Sequence, residues 1–124
     1  MKQISTEKAP AAIGPYCQAM VHGDVVFTSG QIALDPVSGN VVGDDIVSQT
    51  KQVMENLKAV LEEAGTNPEN AIKTTCFLAD MDDFAAFNAV YAEVFTGKPA
   101  RSCVTVKTLP KGVLVEVECI AVIK

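Results

Sequence analysis

One arginine and two glutamates interrupt stretches that are otherwise β-prone and apolar. Arg101 lies in Pro99-Ala100-Arg101-Ser102-Cys103, and Glu116 and Glu118 lie in Val115-Glu116-Val117-Glu118-Cys119-Ile120-Ala121. A guanidinium offers a planar fork that takes a carboxylate bidentately, in a charge-assisted bond worth about 1.5–3 kcal/mol. A partly buried carboxylate can position a water or carry a proton; burial raises its pKa and a nearby arginine opposes the rise. The same residues could instead only pair with one another at an interface, and their types leave both readings open. Leu109-Pro110-Lys111-Gly112 reads as a Pro/Gly turn joining the two runs into a hairpin.

Other residues are candidates to join them. Tyr16 ends a rigid Gly-Pro loop, where its phenol could lie over a ligand in a neighbour's cleft or simply pack at an interface. Ser29 and Gly30 break a β-run; they offer a hydroxyl and an approachable backbone, or mark a bulge. Cys103 shares strand parity with Arg101 and is expected to face the same cleft. The only histidine, His22, falls at a hairpin turn, so a nucleophilic cysteine lacks a base, and packing or backbone contact is the better reading of Cys103. Asn88, inside a helix, is expected to satisfy a buried backbone group. Asp80, Asp82 and Asp83 fit helix capping better than a metal, and no glycine loop is built to cradle phosphate.

The elements that must carry these residues follow from pattern. Cys17–His22 and Val25–Thr28 read as strands around a Gly23-Asp24 turn of type II′. Apolar residues from Ile46 to Ala64 recur at helical spacing, with Asp44 or Asp45 as N-cap and Gly65 as the left-handed stop. A strand over Ala71–Ala79 precedes a second helix, capped by Asp80 or Asp82, with Phe84, Phe87, Tyr91, Val94 and Phe95 on its face. With a short strand at Lys2–Ser5, the order predicts a single α+β domain over residues 1–124. Two helices pack on one face of a mixed, roughly six-stranded sheet.

In the last strand, Val113, Val115, Val117, Cys119, Ala121 and Ile123 form one apolar face, which suits the helices. The other face carries Leu114, Glu116, Glu118, Ile120 and Val122, too apolar for open water. The chain has 48% hydrophobic residues and a mean hydropathy of +0.23, high for 124 residues, so an oligomer covering that second face is expected. The net charge of −5 without a basic cluster disfavours nucleic acid. No apolar run reaches the roughly 20 residues of a membrane span. Four scattered cysteines without a C-x-x-C pair, and a first stretch without an apolar core, predict a reducing cytoplasm.

Pro-Ala-Arg-Ser followed by Leu-Pro-Lys-Gly and Val-Glu-Val-Glu-Cys-Ile-Ala resembles the C-terminal signature of the RidA/YjgF family. Ala11-Ala12-Ile13-Gly14-Pro15-Tyr16, Thr28-Ser29-Gly30-Gln31, Glu55-Asn56-Leu57, Glu63-Ala64-Gly65, Lys73-Thr74-Thr75 and Phe87-Asn88-Ala89-Val90-Tyr91 extend the resemblance over nearly the whole chain. The segment between Phe95 and Pro99 is shorter than in many relatives. The resemblance implies a homotrimer of chorismate-mutase-like subunits with sites between neighbours. It implies deamination of imines and enamines such as 2-aminoacrylate to a 2-oxo acid and ammonia, without cofactor or metal. It places Arg101 on the substrate carboxylate, Glu116 on the water with Glu118 as runner-up, and Tyr16, Ser29, Gly30 and Cys103 around the substrate. The alternative is a trimeric protein that binds or senses small 2-oxo acids without turnover. Some members are described as ribonucleases, which the acidic charge disfavours here.

Overall fold

The computed structural model describes Met1–Lys124. Strands β1 (Lys2–Ile4), β2 (Ala19–His22) and β3 (Val25–Thr28) precede helix α1 (Ile46–Glu63). Strand β4 (Ala71–Leu78), helix α2 (Phe84–Val94), β5 (Ala100–Thr105) and β6 (Val115–Val122) follow. The six strands form one sheet in the order β1-β2-β3-β6-β4-β5, in which β4 and β5 are the parallel pair and all other neighbours are antiparallel. This is the expected α+β architecture, with both helices on one face of a mixed sheet.

Local chemistry sets the limits of α1. The Asp45 carboxylate accepts from the Ser48 amide at 2.8 Å, closing the first turn. At the other end Gly65 adopts φ +92°, the Gly65 N–H donates to Glu62 O and the Thr66 N–H donates to Leu61 O, a Schellman stop. Val53, Met54, Leu57, Val60 and Leu61 are buried, whereas Val47, expected on the same face, is 39% exposed. In α2 the capping expectation is corrected. Asp80 caps a short 3-10 turn at Met81–Asp83, and α2 starts from that turn without a side-chain cap because its first N–H groups are already in a helical run.

The expected hairpin of β5 and β6 does not exist. Strand β4 lies between them, because α2 returns the chain to make β5 the parallel outer neighbour of β4. The β5–β6 connector then crosses the end of β4 and is tied to it on both sides: Val106 N–H donates to Leu78 O and Ala79 N–H to Leu114 O.

Along β6, Val115, Val117, Cys119 and Ala121 are buried beneath the helices, as their parity predicts. The opposite face carries Met20, Phe27, Phe77, Ile120 and Val122 with no helix over it. None of these five is buried, and Phe27 is 46% exposed. No helix is long and apolar enough to cross a membrane.

Candidate active site

The break after β3 is a bulge. Phe27 pairs with Ile120, but Gln31 rather than Gly30 pairs with Val117, so one extra residue is accommodated on the β3 side. The Thr28 hydroxyl repairs the ladder by accepting from the Cys119 N–H at 3.0 Å. The displaced Gly30 lies directly under the Glu116 carboxylate, and a Cβ at Gly30 would collide with Glu116 Oε2. Both readings of Ser29-Gly30 therefore hold, a bulge and a close approach. The Ser29 hydroxyl, expected to face a ligand, instead donates to the Cys17 carbonyl at 2.6 Å, so it can only accept from a bound molecule.

Glu116 is half-buried on the open sheet face, and burial pushes its carboxyl above the usual carboxylate range, with the like charge of Glu118 adding to the rise. An opposing arginine, expected from the sequence, does not act on it within this chain.

Tyr16 reaches the same place through a pinned loop. Buried Gln18 donates from Nε2 to the carbonyls of Thr6, Ala9 and Pro10 and accepts from the Thr6 N–H, holding the chain that leads into Tyr16. Tyr16, Ser29, Gly30, Lys111 and Glu116 line one cavity of about 850 Å³. Its outer wall, Ile32 to Leu34, is anchored from α1, where Asn56 Nδ2 donates to both carbonyls. Lys111 sits on the rim with φ +57°, a conformation that costs a non-glycine residue roughly 1 kcal/mol.

Arg101 is elsewhere. It is in register with Thr74 and, beyond it, Cys119, both buried, so its side chain leaves the sheet on the helix side. There its Nη1 donates to Asn88 Oδ1 at 2.7 Å, and the guanidinium carbon lies 4.9 Å from the Tyr91 ring centroid and 5.5 Å from that of Phe84. A second cavity, of about 230 Å³, opens beside it between Tyr91, Phe95, Lys98 and Pro99. Cys103 shares this face, as parity predicts, opposite Cys76 on β4. Burial pushes the Cys103 thiol up against the lowering effects of Arg101 and of a hydrogen bond with the free Cys76 thiol, which leaves little thiolate for covalent chemistry.

The expected residues thus fall into two groups. Tyr16, Ser29, Gly30 and Glu116 surround one cavity, whereas Arg101 and Cys103 stand on the other side of the sheet. Within one chain Arg101 and Glu116 are not a charged pair, because β4 separates their strands and their side chains leave by opposite faces. Asn88 departs from expectation: its amide holds Arg101, not a backbone group. Tyr91 and Phe84, expected only on the apolar face of that helix, also flank Arg101. The available signal was their spacing, since Phe84, Asn88 and Tyr91 fall at i, i+4 and i+7 on one helix face. Gln18 gave no signal at all.

Comparison with known proteins identifies the family and matches the fold. Residues 6–123 match the family model described as Endoribonuclease L-PSP. The chain is 50% identical over 125 residues to the 2-iminobutanoate/2-iminopropanoate deaminase of Salmonella typhimurium strain LT2, covering 98% of this chain and 97% of that one. Among solved structures, the YjgF gene product of E. coli superposes with a TM-score of 0.94 at 46% identity, covering 100% of both chains. E. coli TdcF with bound serine superposes with a TM-score of 0.93 at 44% identity, covering 98% of each. The bulge that seats Glu116 and the cradle that holds Arg101 therefore belong to a member of the RidA/YjgF family, whose model is described as Endoribonuclease L-PSP.

Proposed function

We propose that this chain is an imine/enamine deaminase. It hydrolyses 2-iminobutanoate, 2-iminopropanoate and enamine precursors such as 2-aminoacrylate to 2-oxo acids and ammonia, as a cytoplasmic homotrimer with sites between neighbours. The observation that carries this reading is the placement of Arg101 and Glu116 on opposite faces of one sheet. Each chain then offers one half-site per face, and an apolar sheet face that a neighbour would cover. An Arg101 half-site from one chain meeting a Glu116 half-site from the next makes one complete cleft.

In that cleft the substrate carboxylate lies on the Arg101 guanidinium, which fixes the C=N carbon relative to Glu116. An enamine first takes a proton at its terminal carbon to become the iminium. Water then adds to the C=N carbon, its proton passing to the Glu116 carboxylate while the π pair moves to nitrogen as a lone pair. Glu116 returns that proton to the nitrogen, and the carbinolamine collapses as the C–N bond breaks, ammonia leaves and the hydroxyl gives up its proton to become the ketone. One water is consumed and Glu116 ends in its starting state. Tyr16 covers the reacting centre, the Gly30 backbone and Ser29 oxygen line it, and Cys103 contacts the substrate without bonding to it. Burial supports the acid/base role, because it holds Glu116 closer to neutrality than an exposed carboxylate. No step needs a cofactor or metal.

Serine bound to TdcF favours a second reading, a binding protein for small carboxylic acids without turnover. A coupled assay separates the two. A dehydratase releases 2-aminoacrylate from serine, and this protein accelerates pyruvate formation whereas Arg101→Ala does not. Equal rates with and without the wild-type protein would overturn the enzymatic reading. Ligand binding by a wild-type protein that accelerates no deamination, retained in Glu116→Gln, would support the binding protein.

A further inference from the structure

Within its own chain Arg101 is held in place without being neutralised. Its side-chain hydrogen bond goes to a neutral amide, Asn88 Oδ1 at 2.7 Å. Two aromatic rings flank the guanidinium, Phe84 at 5.5 Å and Tyr91 at 4.9 Å. The Tyr91 ring is itself immobilised, because its hydroxyl and the Thr74 hydroxyl are 2.7 Å apart and the ring stacks on Phe95 at 4.7 Å. The cavity beside Arg101 is lined by Lys98 and by no carboxylate. An arginine oriented by Asp or Glu would reach the same position with its charge already paired, and an incoming carboxylate would have to compete for it. Rings and an amide orient the fork and leave the full charge for a ligand.

We infer that the α2 face Phe84–Asn88–Tyr91 is a neutral cradle that sets this chain's affinity for small carboxylates, and that Asn88 is a positioning residue whose lack of charge matters more than its hydrogen bond. This rests on the reading of Arg101 as the carboxylate anchor. Asn88→Asp separates the two properties, since it keeps an acceptor of the same shape on Nη1 and adds a negative charge. Asn88→Ala does the reverse, losing the bond and keeping neutrality.

The experiment is calorimetric titration of the full-length protein with 2-oxobutanoate, a product that does not turn over, alongside steady-state deamination. Asn88→Asp is expected to weaken binding about 30-fold and raise KM in parallel with a much smaller change in kcat, the size of one lost charge-assisted contact. Asn88→Ala is expected to weaken binding about fivefold, because the rings still orient the fork. Tyr91→Leu, which removes the ring, is expected to weaken binding about tenfold. Asn88→Ala weaker than Asn88→Asp is the order a purely structural hydrogen bond would give, and it would overturn the cradle. So would wild-type affinity in Asn88→Asp. Arg101→Ala serves as the control: if it binds 2-oxobutanoate as wild type does, the anchor reading itself fails, and if it alone loses binding, only the cradle fails.

Discussion

The Glu116 carboxylate occupies the space that a side chain at Gly30 would need. The backbone of Gly30 is not left-handed, so a larger residue is tolerated conformationally and only the carboxylate must move. Gly30→Ala should therefore lower kcat/KM roughly 100-fold, the scale of an ångström-level misplacement of a catalytic group. Its melting temperature should stay within about 2 °C of wild type, as for substitutions that disturb neither core nor buried hydrogen bonds. Kinetics and a thermal melt on the same preparation check both.

Glu118 acts on Glu116 from two positions along the same strand face. Burial comes first in raising Glu116, and the Glu118 charge comes second. Removing that charge in Glu118→Gln lowers the Glu116 pKa, so the ionised base persists to lower pH and the acid limb of kcat/KM shifts down. The stability sign follows from linkage. A carboxyl whose pKa is raised by folding favours the folded state below its unfolded pKa, and that advantage is lost as pH rises through the folded value. Glu118→Gln should lessen the loss, making the variant relatively more stable at neutral pH than in acid. A pH–rate profile and melts across the same range read the two effects.

The proposed half-sites, on opposite faces of the sheet, make a complementation experiment decisive. Arg101→Ala and Glu116→Gln should each be inactive alone. Unfolded together and refolded as mixed trimers, they should recover about one quarter of wild-type activity, because one site in four then draws both intact residues from different chains. No recovery in verified mixed trimers would place Arg101 and Glu116 in the same chain's site.

Asn56 is fully buried and supports the cavity wall through bonds to Ile32 and Leu34. Asn56→Ala strands both carbonyls in the interior at a cost of about 2–4 kcal/mol. For a domain of this size the melting temperature should fall by roughly 10 °C.

Local chemistry was legible and pairing was not. Asp45 and Gly65 marked the ends of α1 because capping depends only on nearby backbone, and the parity of β6 told its buried face from its open one. Nothing local reveals which strand lies beside which. Arg101 and Glu116 were therefore placed on one hairpin, when α2 carries β5 to the far side of β4. The partner of Asn88 was illegible for a related reason. A polar residue on a half-buried helix face looks the same whether a carbonyl or a guanidinium lies above it. The Glu116 half of the site was easier, because a glycine breaking a strand and a carboxylate breaking an apolar run are both anomalies visible in sequence.

If the site is shared between subunits as proposed, strand β4, standing between β5 and β6, makes folding and activity separate properties of this chain. A subunit would then be fully folded and still hold only unmatched halves. On dilution below the concentration that sustains assembly, specific activity would fall while circular dichroism and melting of the individual subunit still report folded protein. Loss of activity in a dilute stock would then be a measure of dissociation, reversible by concentrating the sample.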